Sequence, residues 1–137
     1  MRKRDWLLIA LGDRLEPIQV QKTLFKFAEE SGAPEAERYE FVPYNWGPCS
    51  FAIYGDLGEL REEGLVEFEA SGRGWNVYRV TGEGARAAKE LREKADSDLV
   101  KRMDDIREYV TSRSFGRLLR DVYADYPESA ERSLFEK

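Results

Sequence analysis

Helical stretches in the first half, an alternating hairpin pattern after them and two apolar helical stripes towards the C-terminus predict an α+β fold that is mainly α. Trp6 to Leu11 is continuously apolar and reads as a short buried helix, ended by a turn over Gly12 to Glu16. Pro17 suits the first turn of a second helix, where its missing N–H is not needed. Over Ile18 to Ser31, Val20, Leu24, Phe27 and Ala28 recur at helical spacing, with Gln19, Lys22 and Lys26 as the opposite stripe. Gly32-Ala33-Pro34 stops that helix.

Tyr39 to Phe51 is the most distinctive stretch of the chain, crowding aromatic residues, prolines and a glycine into a segment that cannot be helical. Tyr39 and Phe41 read as core side chains of a short extended piece. Gly47-Pro48 reads as the corner that launches a third helix, with Ser50 as its cap. That helix runs to about Glu63, turns Ile53, Leu57 and Leu60 inward and stops at Gly64. Leu65 to Ala70 and Trp75 to Val80 alternate around Ser71-Gly-Arg-Gly74, the pattern of a β-hairpin. If Tyr78 and Val80 point inward, Trp75, Val77 and Arg79 point outward.

After Thr81-Gly-Glu-Gly84 the chain turns helical to about Lys94. Leu99, Met103, Ile106 and Val110 then form one stripe, and Phe115, Leu118, Leu119, Val122 and Tyr123 another. Helix, helix, helix and a two-stranded wing is the order of a winged helix-turn-helix domain. The expected organisation is that domain over residues 1–95 and a C-terminal helical extension over 96–137. The extension's apolar stripes require it to pack on the domain or to form a homodimer.

The bulk composition narrows the function classes. With 137 residues, 42% of them hydrophobic and 36% charged, the chain supports one core under a heavily solvated surface. The single Cys49 excludes an internal disulfide and fits a reducing compartment. Trp6 to Leu11 is too short for a signal-peptide core, and no apolar run reaches the ~20 residues that span a bilayer. The expectation is therefore a cytoplasmic protein with no membrane partner. The absence of histidine removes Ser-His-Asp and Cys-His catalysis and histidine metal sites together, so no enzyme activity, cofactor or metal is expected.

Three stretches carry a resemblance: Val20 to Phe27, Phe41 to Ser50 and Asp56 to Val66, extended by Tyr78 to Gly84 and Leu118 to Pro127. Their Phe-x-Pro-Tyr-x-x-Gly-Pro-x-Ser signature over Phe41 to Ser50 resembles the YwgA-like and Panacea (SocA-like antitoxin) group of small winged-helix proteins. The resemblance implies a winged-helix fold. For the Panacea branch it implies neutralisation of a toxin by direct protein contact.

Two functions follow as expectations. The first is a DNA-associated transcriptional regulator. Here Lys22, Lys26 and Arg73 meet phosphates, Ser50 and Tyr54 approach bases from the start of the third helix, and Asn76 adds a contact at the wing. Against it stands charge: from Cys49 to Val80 there are three basic and six acidic residues, and the whole chain carries −5. The second is an antitoxin-like protein-interaction module, in which Tyr44, Trp46, Trp75 and the C-terminal stripe form the contact surface. Each feature also has a plain reading. Tyr44 and Trp46 read more readily as packing against the first two helices, and Gly-Arg-Gly as an ordinary turn. Gly82-x-Gly84-x-x-Ala87 matches a dinucleotide fingerprint only superficially, because its strand belongs to a hairpin. The doublets Asp104-Asp105, Glu62-Glu63 and Glu29-Glu30 point different ways on their helices and form no acid–base pair. Cys49 reads as a small buried filler. Whether Phe115 to Tyr126 covers the recognition face stays open.

Overall fold

The computed structural model describes residues 1–135, and these form an α+β fold dominated by six α-helices with a small antiparallel sheet. In chain order they are α1 (Lys3–Leu11), β1 (Arg14–Leu15), α2 (Pro17–Glu30), β2 (Val42–Tyr44), β3 (Gly47–Cys49), α3 (Ala52–Glu62), β4 (Val66–Ala70), β5 (Asn76–Val80), α4 (Gly82–Lys94), α5 (Ser97–Thr111) and α6 (Phe115–Asp125). Short 3₁₀ turns occupy Glu35–Glu37 and Pro127–Ala130.

The three-stranded sheet has the order β1-β5-β4, with Leu15 opposite Tyr78 and Val66 opposite Val80. The two-residue strand β1 lies inside the stretch read as a simple turn. It is too short to leave an alternation in the sequence. Its pairing makes β5 the central strand, on which α1, α2 and α4 all pack. Val77, expected outside, is consequently buried, whereas Trp75 and Arg79 are exposed as read.

The aromatic stretch itself also differs from the reading, because it holds the β2–β3 hairpin. Gly47 and Pro48 are not the corner; they lie in β3, opposite Tyr44 and Pro43, and the turn is Asn45-Trp46. Gly47 holds φ at 91°, and a Cβ there would come within 3.1 Å of Lys22 Cε and 3.2 Å of Leu119 Cδ2. Glycine thus meets both a left-handed backbone and a close approach. Ser50 does not cap α3 with its side chain. Its backbone is gripped by Gln21, whose Nε2 donates to Ser50 O at 3.1 Å while Oε1 accepts from Ser50 N at 2.8 Å.

Helix α2 is the axle of the molecule. Every residue from Val20 to Ala28 is buried, including Gln21, Lys22, Thr23 and Lys26. The polar stripe read as solvated is covered because α5 packs along α2, with β3 and α6 beside it. Met103, Ile106 and Val110 enter the core from α5, and Leu118, Leu119, Val122 and Tyr123 from α6. Arg107 fastens α5 to the first helix: its Nε donates to Ala10 O and its Nη2 to Leu11 O, both at 3.0 Å. At the other end of the sheet, Thr81 caps α4 by accepting from Gly84 N at 3.0 Å. A Cβ on Gly84 would sit 2.0 Å from Leu65 O, so the Gly-x-Gly pattern records close packing of α4 on the start of β4.

Candidate interaction face

Burial sorts the residues singled out from the sequence into two groups. Lys22, Lys26 and Ser50 are inside and cannot meet phosphates or bases as they stand. Lys22 donates from Nζ to Pro48 O at 2.9 Å, and burial pulls its ammonium down to about 8. Lys26 pairs with Glu30 at 3.0 Å and lies over the Tyr109 ring of α5. Both lysines look like a solvated stripe because a long aliphatic stem with a charged tip suits either surface or interior. Tyr54, Arg73, Asn76, Trp46 and Trp75 are exposed, and Tyr44 is half-buried.

The exposed residues do not form one site. Arg73, Trp75 and Asn76 sit at the tip of the β4–β5 hairpin. There the Arg73 guanidinium lies 5.1 Å from the Trp75 ring centre and donates to Glu16 Oε1 at 2.8 Å. Tyr44, Trp46 and Tyr54 belong to a second place, together with aromatic residues the sequence reading passed over. Tyr54 neighbours Phe51 (6.4 Å between ring centres), and Phe51 packs edge-on against Tyr44 (5.1 Å). Two residues along the hairpin, Trp46 packs edge-on against Phe115 at the start of α6 (5.6 Å), which in turn meets Phe135 (6.0 Å).

These contacts make two ring clusters, one at the first turn of α3 and one at the first turn of α6, that flank the Asn45-Trp46 turn and together form an aromatic band. The segment 132–135 runs along it: Leu134 N donates to Asn45 O at 2.7 Å, and the Arg132 guanidinium lies 5.6 Å from the Tyr44 ring centre. Trp46, Phe51, Tyr54 and Phe115 are 44–54% exposed. Trp46 therefore packs on α6 and not on the first two helices, where the plain reading put it. Phe51 was missed because it ends the aromatic stretch at a helix start, where exposure depends on the angle of α3. Phe115 was taken as part of the α6 core stripe, but its position at the helix start leaves it out of the core.

What lies beneath the band is polar and fixed. Cys49 is buried, and burial raises its thiol pKa, with Lys22 and Tyr54 both nearby. Burial likewise pushes the Tyr54 phenol up to about 12. Two open depressions, of about 160 and 450 Å³, lie along α1 and take in Arg4 and Trp6 respectively. In the first, the Arg4 guanidinium is already engaged by Glu59 and Glu63 of α3. Among the described residues, no three acidic or cysteine side chains converge as a metal-binding group, and no helix is long and apolar enough to cross a membrane.

No family model, curated protein or solved structure matches this chain. Function must therefore be argued from the face itself.

Two acidic side chains of α3, and Glu63 just past its end, are engaged elsewhere, while Glu62 is exposed. Asp56 accepts from Tyr39 Oη at 2.6 Å, and Glu59 and Glu63 hold Arg4. The first turn of α3 is left to Phe51 and Tyr54. Gly55 and Gly58 lie on this helix with open space where a Cβ would stand.

Proposed function

We propose that this chain is a non-enzymatic winged-helix protein that works by binding another protein, as an antitoxin-like interaction module does. The observation that carries the reading is the exposed aromatic band of Tyr54, Phe51, Tyr44, Trp46 and Phe115. Rings about half exposed leave on the order of 100 Å² each in water, so the four most exposed contribute roughly 400 Å². A contiguous apolar patch of that size is typical of a contact surface, and aromatic side chains supply most binding hot spots. The winged-helix part of the proposal draws on the element order α1-β1-α2-α3-β4-β5 and on the sheet order β1-β5-β4.

The regulator reading loses support on charge and access. Lys22, Lys26 and Ser50 are buried, and α3 presents Glu59, Glu62 and Glu63 beyond its first turn. Phosphate neutralisation supplies most of the affinity for DNA, and that helix offers little of it. One observation still favours DNA: the β4–β5 tip exposes Arg73, Trp75 and Asn76 together.

Affinity purification of the tagged full chain from its source cells separates the two. The expected result is a stoichiometric protein partner, retained as salt rises and lost with Trp46→Ala or Phe51→Ala. Binding to its own upstream DNA that falls steeply with salt, disappears with Arg73→Glu and comes with no protein partner would overturn the proposal.

A further inference from the structure

Resting on the protein-binding reading, we infer that the partner's contacting segment is acidic as well as apolar. The band is apolar in its rings and positive along its edges. Arg132 stacks over Tyr44 at 5.6 Å and Arg120 over Phe135 at 5.8 Å. Among the described residues, neither guanidinium has a carboxylate within ion-pair distance. Arg4, Arg92, Arg107 and Arg113, by contrast, all pair with carboxylates. An arginine stacked on an aromatic ring keeps its N–H edge free for a carboxylate and loses little further entropy in binding one.

The helix termini add to the same field. Helices α1, α4 and α5 each carry an acidic residue in the first turn: Asp5, Glu83 and Asp98. Helices α2, α3 and α6 carry none there, and of these α3 and α6 start on the band. Ser114 caps α6 by accepting from Arg117 N, but neither helix sets a carboxylate of its first turn against its dipole. Of the acidic residues further along α3, Asp56 is held by Tyr39; Glu59, with Glu63 just past the helix, is held by Arg4, while Glu62 at its far end is exposed.

This charge pattern selects among occupants. A second copy would set Arg120, Arg132 and two helix N-termini against their own counterparts, which repels. A nucleic-acid strand draws its affinity from neutralising many phosphates, and two arginines supply little of that. A protein segment with leucine or aromatic side chains beside aspartate or glutamate satisfies both the rings and the arginines.

A displayed library of random peptides of about twelve residues, panned on the full chain, tests this directly. The expected consensus combines large apolar residues with Asp or Glu. A synthetic representative should lose about tenfold in affinity with Trp46→Ala, and about tenfold with Arg120→Glu and Arg132→Glu together. Arg120→Lys with Arg132→Lys should keep most of the binding. Unchanged thermal melts would confirm that these exposed positions alter contact and not folding. A basic or uncharged consensus, no enrichment, or indifference to the charge reversal overturns the inference. So does competition by oligothymidylate, or a dimer in sedimentation that Trp46→Ala dissolves. A partner protein that needs Trp46 and Phe51 but tolerates the charge reversal would sink the inference and leave the proposed function standing. Acidic peptides captured without any cognate protein would do the reverse.

Discussion

Lys22 and Pro48 are joined by a hydrogen bond of 2.9 Å from Nζ to the carbonyl oxygen, at a site where Lys22 is only 3% exposed. Among the described residues no carboxylate lies within ion-pair distance of this ammonium. The hairpin that carries Tyr44 and Trp46 thus rests on a charge that burial disfavours.

Lys22 makes folding depend on pH in a window set by its own shift. Burial holds its pKa at about 8 in the folded chain, against 10.5 for the exposed side chain. Below pH 8 both states are protonated and the full cost is present. Between 8 and 10.5 the unfolded state binds more protons, so stability rises with pH. Cys49, raised by burial from 9.0, offsets part of this gain as pH passes about 9, and Tyr39 and Tyr126, raised chiefly by burial, act the same way above about 10. Denaturant titrations should show wild type gaining roughly 1–2 kcal/mol from pH 7 to 9.5. Lys22→Met should lack that gain and be more stable than wild type at pH 7 by about 1–3 kcal/mol. A flat wild-type profile would refute the assignment.

Gln21 is the second support of the hairpin. Removing its amide with Gln21→Ala orphans the buried N–H of Ser50 and leaves its C=O only the 3.3 Å hydrogen bond from Ile53 N. The expected loss is about 2–3 kcal/mol, read as a lower denaturation midpoint at unchanged slope. Gln21→Glu keeps an acceptor and loses the donor, and places a carboxylate in the interior. It should be no more stable than the alanine variant.

The glycines divide by what surrounds them. Gly84→Ala drives a Cβ into Leu65 O at 2.0 Å and should cost more than about 2 kcal/mol. Gly55→Ala and Gly58→Ala add a Cβ into open space on α3. Each should raise stability by up to about 1 kcal/mol, because alanine is the better helix former. Thermal melts of the three variants compare them on one scale. If Gly55→Ala or Gly58→Ala stabilises the chain yet weakens partner binding, the partner's backbone comes close to α3.

Helices α5 and α6 should be inseparable from the remainder. A chain ending at residue 95 would uncover Phe25, which packs edge-on against Tyr126, and Lys26, which lies over Tyr109. It would also lose the Met103, Ile106 and Val110 face and the Arg107 links to α1. Such a fragment is expected to show no cooperative unfolding transition by circular dichroism. A sharp transition would mean that the first 95 residues form a domain of their own.

Much of the fold was legible because local patterns and tertiary needs agree. Helix α3 shows Ile53, Leu57 and Leu60 inward and Gly64 at φ 77° after its last turn, as the spacing implied. The α5 stripe and the extent of the β4–β5 hairpin were equally readable, but not the burial of Val77, because β5 is the central strand and is covered on both faces there. Strand β1 was not, because two residues carry no period. The candidate site was half legible: the aromatic stretch drew attention to Tyr44 and Trp46, while Phe51 and Phe115 became part of it only by folding.

By itself, the sequence determined the sites of helix and hairpin, the absence of histidine chemistry and the core membership of the regularly spaced apolar residues. These follow from periodicities of one element and from residue types. Tertiary structure decided what lies across α2 from the core. It buried Lys22 and Lys26 under β3, α5 and α6, and it joined rings from α3, the β2–β3 turn and α6 into one band. A polar stripe and an apolar ring look the same in sequence whether covered or bare, because exposure is set by which other element arrives there.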